Sequence, residues 1–115
     1  MTTPDIVRWA DAEPVEMLPG LWRRTLGTGE RGMLVEIRAE PGVIIPEHAH
    51  PAEQIGYIIS GEVELSIAGI SYRFAPGDSY AIPGNVIHSA RFQTACVLVE
   101  YFTPVREEYR RRPRA

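Results

Sequence analysis

Apolar and polar positions alternate with a period of two in short runs along the chain. At residues 33–38, Val35 and Ile37 oppose Glu36 and Arg38; at 62–67, Val63, Leu65 and Ile67 oppose Glu62, Glu64 and Ser66. Successive side chains of a strand point to opposite faces, so each run predicts a strand with one buried side. Further strands are predicted at 21–26, 43–45, 55–59, 71–74, 79–82, 87–92 and 96–102. Turn signals separate them at 27–29, 41–42, 60–61, 68–69, 76–77 and 83–84. Only the stretch 105–112 reads as a helix. Nothing between the strands is long enough for a crossover helix, so the expected fold class is all-β, a sandwich or barrel. The core is expected over about residues 15–104, followed by a short C-terminal helix and a basic tail.

A length of 115 residues predicts one domain, and 44% apolar residues can fill its core without staples. All twelve basic residues are arginine, which excludes a lysine Schiff base and a phosphate-loop lysine. Residues 1–104 carry seven arginines and thirteen acids, whereas residues 105–115 carry five arginines and two acids. A nucleic-acid binder would need a basic face on the body, and this body is acidic. Arg110, Arg111, Arg112 and Arg114 therefore read as a solubilising tail, and no nucleic-acid partner is expected. Cys96, the single cysteine, sits in the apolar run 95–99 and reads as a buried structural thiol, so no internal disulfide forms. Neither a signal-peptide core nor an apolar run long enough for a membrane helix is present, and the expectation is a cytoplasmic, soluble protein with no membrane partner.

The candidate chemistry is concentrated in the three histidines, His48, His50 and His88. They fall in two glycine-bounded segments. Gly42 is followed by His48-Ala49-His50, then Gln54, then Gly61; Gly77 is followed by Pro83-Gly84-Asn85, then His88. Residues two apart on a strand share a face, so His48 and His50 are expected to converge, and a hairpin between Gly61 and Gly77 would bring His88 to them. Imidazole nitrogens with an amide oxygen make a site for a first-row divalent transition metal, and iron, manganese, cobalt, nickel, copper and zinc all suit it. The plainer alternative is three unrelated hydrogen-bonding histidines.

Segments 42–61 and 77–88 resemble the two conserved motifs of the cupin superfamily. That resemblance implies a double-stranded β-helix, or jelly-roll, barrel with a metal inside. It also implies the ligand set His48, His50, Gln54 and His88. Gln54 stands where the superfamily usually has glutamate, and Asn85 replaces a glycine, a change that asparagine's tolerance of positive φ permits. A neutral Gln54 leaves the metal's charge uncompensated, which strengthens it as a Lewis acid. Glu53 is the alternative ligand if the strand register slips; Gln54 is preferred because of its spacing to Gly61.

A second group lies at 96–106. Alternation puts Cys96, Leu98, Glu100 and Phe102 on one face of an otherwise apolar strand, so Glu100 is a carboxylate in a buried position. It is either paired with a core arginine or is a general acid/base facing the cavity. His-x-His-Pro-x-Glu-Gln-Ile at 48–55 with Phe-Thr-Pro-x-Arg at 102–106 resembles the pectin-degradation cupins, which convert 4,5-unsaturated monouronates to linear keto acids. This implies catalytic roles for Glu100, Phe102 and Arg106: proton shuttle, stacking against the sugar ring and pairing with the substrate carboxylate. For Phe102 and Arg106, core filling and a local ion pair with Glu107 or a partner subunit stay open. The implied activity is of the isomerase type on a small anionic sugar-like substrate. A non-haem metal dioxygenase and a non-catalytic sugar-binding or regulatory cupin are the rivals. A homodimer is expected, with 15–26 as its edge or exchanged strand.

Overall fold

The computed structural model describes residues 3–112. Ten strands form two antiparallel sheets. The larger has the order β1 (Val15–Leu18), β2 (Leu21–Thr28), β3 (Met33–Ala39), β10 (Cys96–Thr103), β5 (Glu53–Ser60), β8 (Ser79–Ile82). The smaller has the order β4 (Ile44–His48), β9 (His88–Phe92), β6 (Val63–Ile67), β7 (Ile70–Phe74). The chain is all-β, and β1 lies at the edge of the larger sheet.

The period-two pattern decides which faces meet. Val35 and Ile37 of β3, Ile58 of β5, Leu98 and Phe102 of β10, Val63 and Leu65 of β6, and Phe92 of β9 are all buried in one core. Non-consecutive strands, β3 with β10 and β10 with β5, pair in the larger sheet, so residues far apart in sequence share its inner face. The link between β6 and β7 is a two-residue turn with φ of 51° at Ala68 and 81° at Gly69. That pair of positive φ values matches the twist of the flanking strands.

Two expectations are corrected. The C-terminal helix is a single 3-10 turn, Glu107–Tyr109. The basic end is also tied down in part: Arg111 donates to the Leu26 carbonyl at 2.7 Å and pairs with Asp5 at 2.7 Å, so it is a clasp between the termini rather than a tail. Arg114 lies outside the described residues. Cys96 is buried and free, as its apolar run predicts. No helix among the described residues is long and apolar enough to cross a membrane.

Candidate metal and carboxylate centre

His48 ends β4 and stands in register with His88 at the start of β9. His50 does not share that strand: β4 stops at His48, and His50 lies in the connection to β5. This corrects the expectation of one strand face. His50 is held instead from the second motif, because its carbonyl accepts the Asn85 N–H at 2.7 Å. Asn85 has φ 65°, the left-handed conformation its side chain tolerates.

The three rings nonetheless converge, with one ligand nitrogen from each lying within 4.8 Å of the others. Each Nδ1 is 2.8 Å from a backbone carbonyl: Pro46 for His48, Ala52 for His50, Val86 for His88. A carbonyl can only accept, so each Nδ1 carries a proton, and in the neutral ring it is Nε2 that keeps a lone pair for the point the rings share. Burial, aided by the nearby Arg106 charge at His50 and opposed by the Val86 bond at His88, lowers the pKa of both rings and favours that neutral form.

Gln54 completes the cluster. It is buried on the inner face of β5, and its Oε1 lies 3.1 Å from His50 Nε2. Gln54 Nε2 donates to Glu100 Oε2, which turns the amide oxygen toward the histidine. Two lone pairs thus face each other. His88 Nε2 is also buried without a partner. Three converging imidazoles with an amide oxygen beside one of them suit a divalent transition metal, whose positive charge would satisfy these lone pairs. Glu53 lies on the exposed side of the same strand.

Glu100 is buried on β10 and has no arginine ion pair among the described residues; its Oε2 accepts from Tyr80 Oη at 2.6 Å and from Gln54 Nε2. Sequence reasoning missed Tyr80. Glu100, Gly56 and Tyr80 form one cross-strand row over β10, β5 and β8. A Cβ at Gly56 would meet Tyr80 Cζ at 2.1 Å, so the glycine makes the space through which the tyrosine ring reaches the carboxylate. The available signal was a lone glycine inside an apolar strand. Burial raises the Glu100 pKa, opposed by the bonds from Tyr80 and Gln54. Burial and the adjacent Glu100 charge push Tyr80 well above its usual range.

These groups line a cavity of about 360 Å³ inside the barrel, whose polar wall includes His48, Gln54, Tyr80, His88, Glu100 and Arg106. Phe102 is fully buried, edge-on to both His50 (5.8 Å) and Tyr109 (5.7 Å). Arg106 stacks on Phe102 and Tyr109 with its Cζ 5.0 and 4.2 Å from the two centroids, and pairs with Glu108, not Glu107. The structure therefore brings His48, Gln54, His88, Glu100, Phe102 and Arg106 to one cavity, with His50 set against its Phe102 wall.

The cupin-domain family model matches residues 35–102, more than half of the chain. Pectin degradation protein KdgF of Dickeya dadantii (strain 3937) is 28% identical over 102 residues, covering 86% of this chain and 93% of that protein. The HTH-type transcriptional regulator PuuR of Escherichia coli (strain K12) is 35% identical over 68 residues, 56% of this chain, and the match spans only 37% of the regulator. An RmlC-like cupin from Shewanella frigidimarina NCIMB 400 superposes with a TM-score of 0.86 at 30% identity, covering 91% of this chain and 95% of that one. KdgF from Halomonas sp. superposes equally well, 0.86, at 24% identity over 92% of this chain and 98% of that one, which shows a shared fold. With strand order, inward histidines and family match in agreement, this chain belongs to the cupin family.

Proposed function

We propose that this cupin holds one divalent transition metal on His48, His50, Gln54 and His88 and converts 4,5-unsaturated monouronates to linear keto acids. The observation that carries the reading is the single residue linking the two halves of the site: Gln54 touches His50 through its oxygen and Glu100 through its nitrogen. The likeness to KdgF of Dickeya dadantii, over nearly its whole length, supports a sugar acid of pectin breakdown as the substrate class.

The conversion is an isomerisation. The bond from the ring oxygen to the anomeric carbon breaks, the anomeric hydroxyl loses its proton to give an aldehyde, and the ring oxygen is left as an enolate, which gains that one proton at carbon 4 to give a ketone. No electrons enter or leave. Glu100 takes and returns the proton: its Oε2 is fixed by two donors, and no donor among the described residues meets Oε1. Arg106 pairs with the substrate carboxylate through its planar fork. Phe102 presents its ring beside His50 and holds the sugar against the site. A bound metal supplies Lewis-acid stabilisation of the developing enolate charge.

Incubation of metal-loaded protein with unsaturated monouronate, followed by proton NMR, tests this. The vinyl signal of carbon 4 is expected to give way to a methylene next to a ketone. A second reading, ligand binding without turnover, is favoured by the match to the cupin part of PuuR; unchanged substrate beside saturable binding would select it. A second copy of the chain, paired along the β1 edge, and a reducing cytoplasmic setting for the buried, free Cys96 belong to the same proposal.

A further inference from the structure

Among the described residues, three buried side-chain atoms lack a hydrogen-bond partner: His88 Nε2, Arg23 Nε and Arg106 Nε. The histidine belongs to the metal cluster. The other two atoms belong to guanidinia that address one ring, with Arg23 Cζ 4.7 Å and Arg106 Cζ 4.2 Å from the Tyr109 centroid. The two cations therefore lie no farther apart than the sum of those distances.

Arg23 reaches this place because β2 turns Leu21, Arg23 and Thr25 to the inner side, and both of its neighbours there are buried. Its Nη1 donates to Thr25 Oγ1 at 3.1 Å, and that hydroxyl donates to the Tyr109 carbonyl at 2.5 Å. One end of the fork is thus tethered while Nε–H stays free. Arg23 has no ion pair among the described residues, and Arg106 has only Glu108, at 3.3 Å on an exposed side chain. Glu108 is the acid these two cations share, paired with Arg106 and acting on Arg23 without pairing to it, and each cation keeps a buried N–H without a partner. Arg106 lines the inner cavity together with Tyr109, and Arg23 lines an outer cleft of about 960 Å³ together with Glu108.

We propose that Arg23 and Arg106 together form the pole that receives the ligand's carboxylate, each donating its free Nε–H, with Glu108 displaced when the ligand binds. Arg23 is then a specificity-determining residue that selects an acidic over a neutral sugar. This rests on the reading of the barrel cavity as a sugar-acid site.

The test titrates zinc-loaded protein with D-galacturonate, which lacks the 4,5 double bond and so cannot undergo the proposed reaction, with D-galactose and with inorganic phosphate, by calorimetry. Galacturonate is expected to bind and galactose not. Arg23→Ala and Arg106→Ala should each weaken galacturonate at least tenfold, and Arg23→Lys should restore part of the loss, because it keeps the charge but not the fork. Arg23→Gln, which keeps a polar side chain over Tyr109, guards against misfolding and should bind as poorly as the alanine variant. Binding within twofold of the parent in folded Arg23→Ala and Arg23→Gln overturns the proposal. Equal binding of galactose, or phosphate binding with galacturonate excluded, overturns the sugar-acid pole. Arg23-dependent galacturonate binding without turnover of unsaturated monouronate keeps the pole and removes the reaction; turnover untouched by Arg23→Ala does the reverse.

Discussion

The Tyr80 hydroxyl donates to Glu100 Oε2 at 2.6 Å, across the bare backbone of Gly56. The two residues come from strands that do not pair with each other, and only the missing side chain between them allows the contact. One oxygen of the buried carboxylate is thereby fixed. Tyr80→Phe keeps the ring and removes the donor, so turnover should fall about tenfold with KM within about twofold, since Tyr80 positions Glu100 rather than touching substrate. Steady-state kinetics with a folding control check the split.

Gly56→Ala should be the more damaging change. Its Cβ would overlap the Tyr80 ring, and the glycine sits between two hydrogen-bonded strands that hold it in place. Overpacking of this kind costs about 1 to 3 kcal/mol, read as a lowered midpoint in urea. Turnover should drop as well, because the ring cannot keep its place over the glycine.

Metal should stabilise the fold. An ion that binds only the folded chain adds about 2.7 kcal/mol when present at one hundred times its Kd, so chelator should lower Tm. His88→Ala, which removes a buried lone pair of the cluster, should abolish both the metal stoichiometry and the chelator response. Elemental analysis and thermal melts measure the two effects.

Gln54→Glu should separate affinity from activity. A carboxylate at this position adds charge toward the metal but loses the N–H donated to Glu100 and sets two acids against each other. Metal is expected to bind more tightly while turnover falls by about tenfold or more, as metal titration and kinetics would report.

The clasp between the termini should respond to acid. Asp5 is held below the usual carboxylate range by its bond from Arg111 and by the Thr28 N–H. Its folded-state pKa is depressed, so its contribution is present above the ordinary value of 3.8 and disappears as pH falls through the lower, folded value. The Tm gap between the parent and Asp5→Asn should be steady near neutrality, correspond to about 1 kcal/mol or less, and close in strong acid.

Strands such as β3, β5 and β10 were legible because alternation sets one buried face of each, and Glu100 was found as the acid that breaks an apolar face. The histidines were legible by spacing, although His50 converges through its bond to Asn85 and not through strand geometry. Tyr80 and Arg23 were not, because their meaning depends on which strands become neighbours: Tyr80 meets Glu100 across β5, and Arg23 meets Tyr109 from the far end of the chain. The expected C-terminal helix gave way to a turn for a similar reason. Tyr109 packs on Phe102 while its carbonyl accepts from Thr25, and Arg111 reaches Leu26 and Asp5, contacts that outweigh the local helical preference.

The most direct measurement of the central claim is the decay of the conjugated enol's ultraviolet absorbance when metal-loaded protein meets unsaturated monouronate. The account predicts decay faster than in buffer, lost with chelator and reduced by about a hundredfold or more in Glu100→Gln. Decay no faster than in buffer, or acceleration that survives both changes, would contradict it.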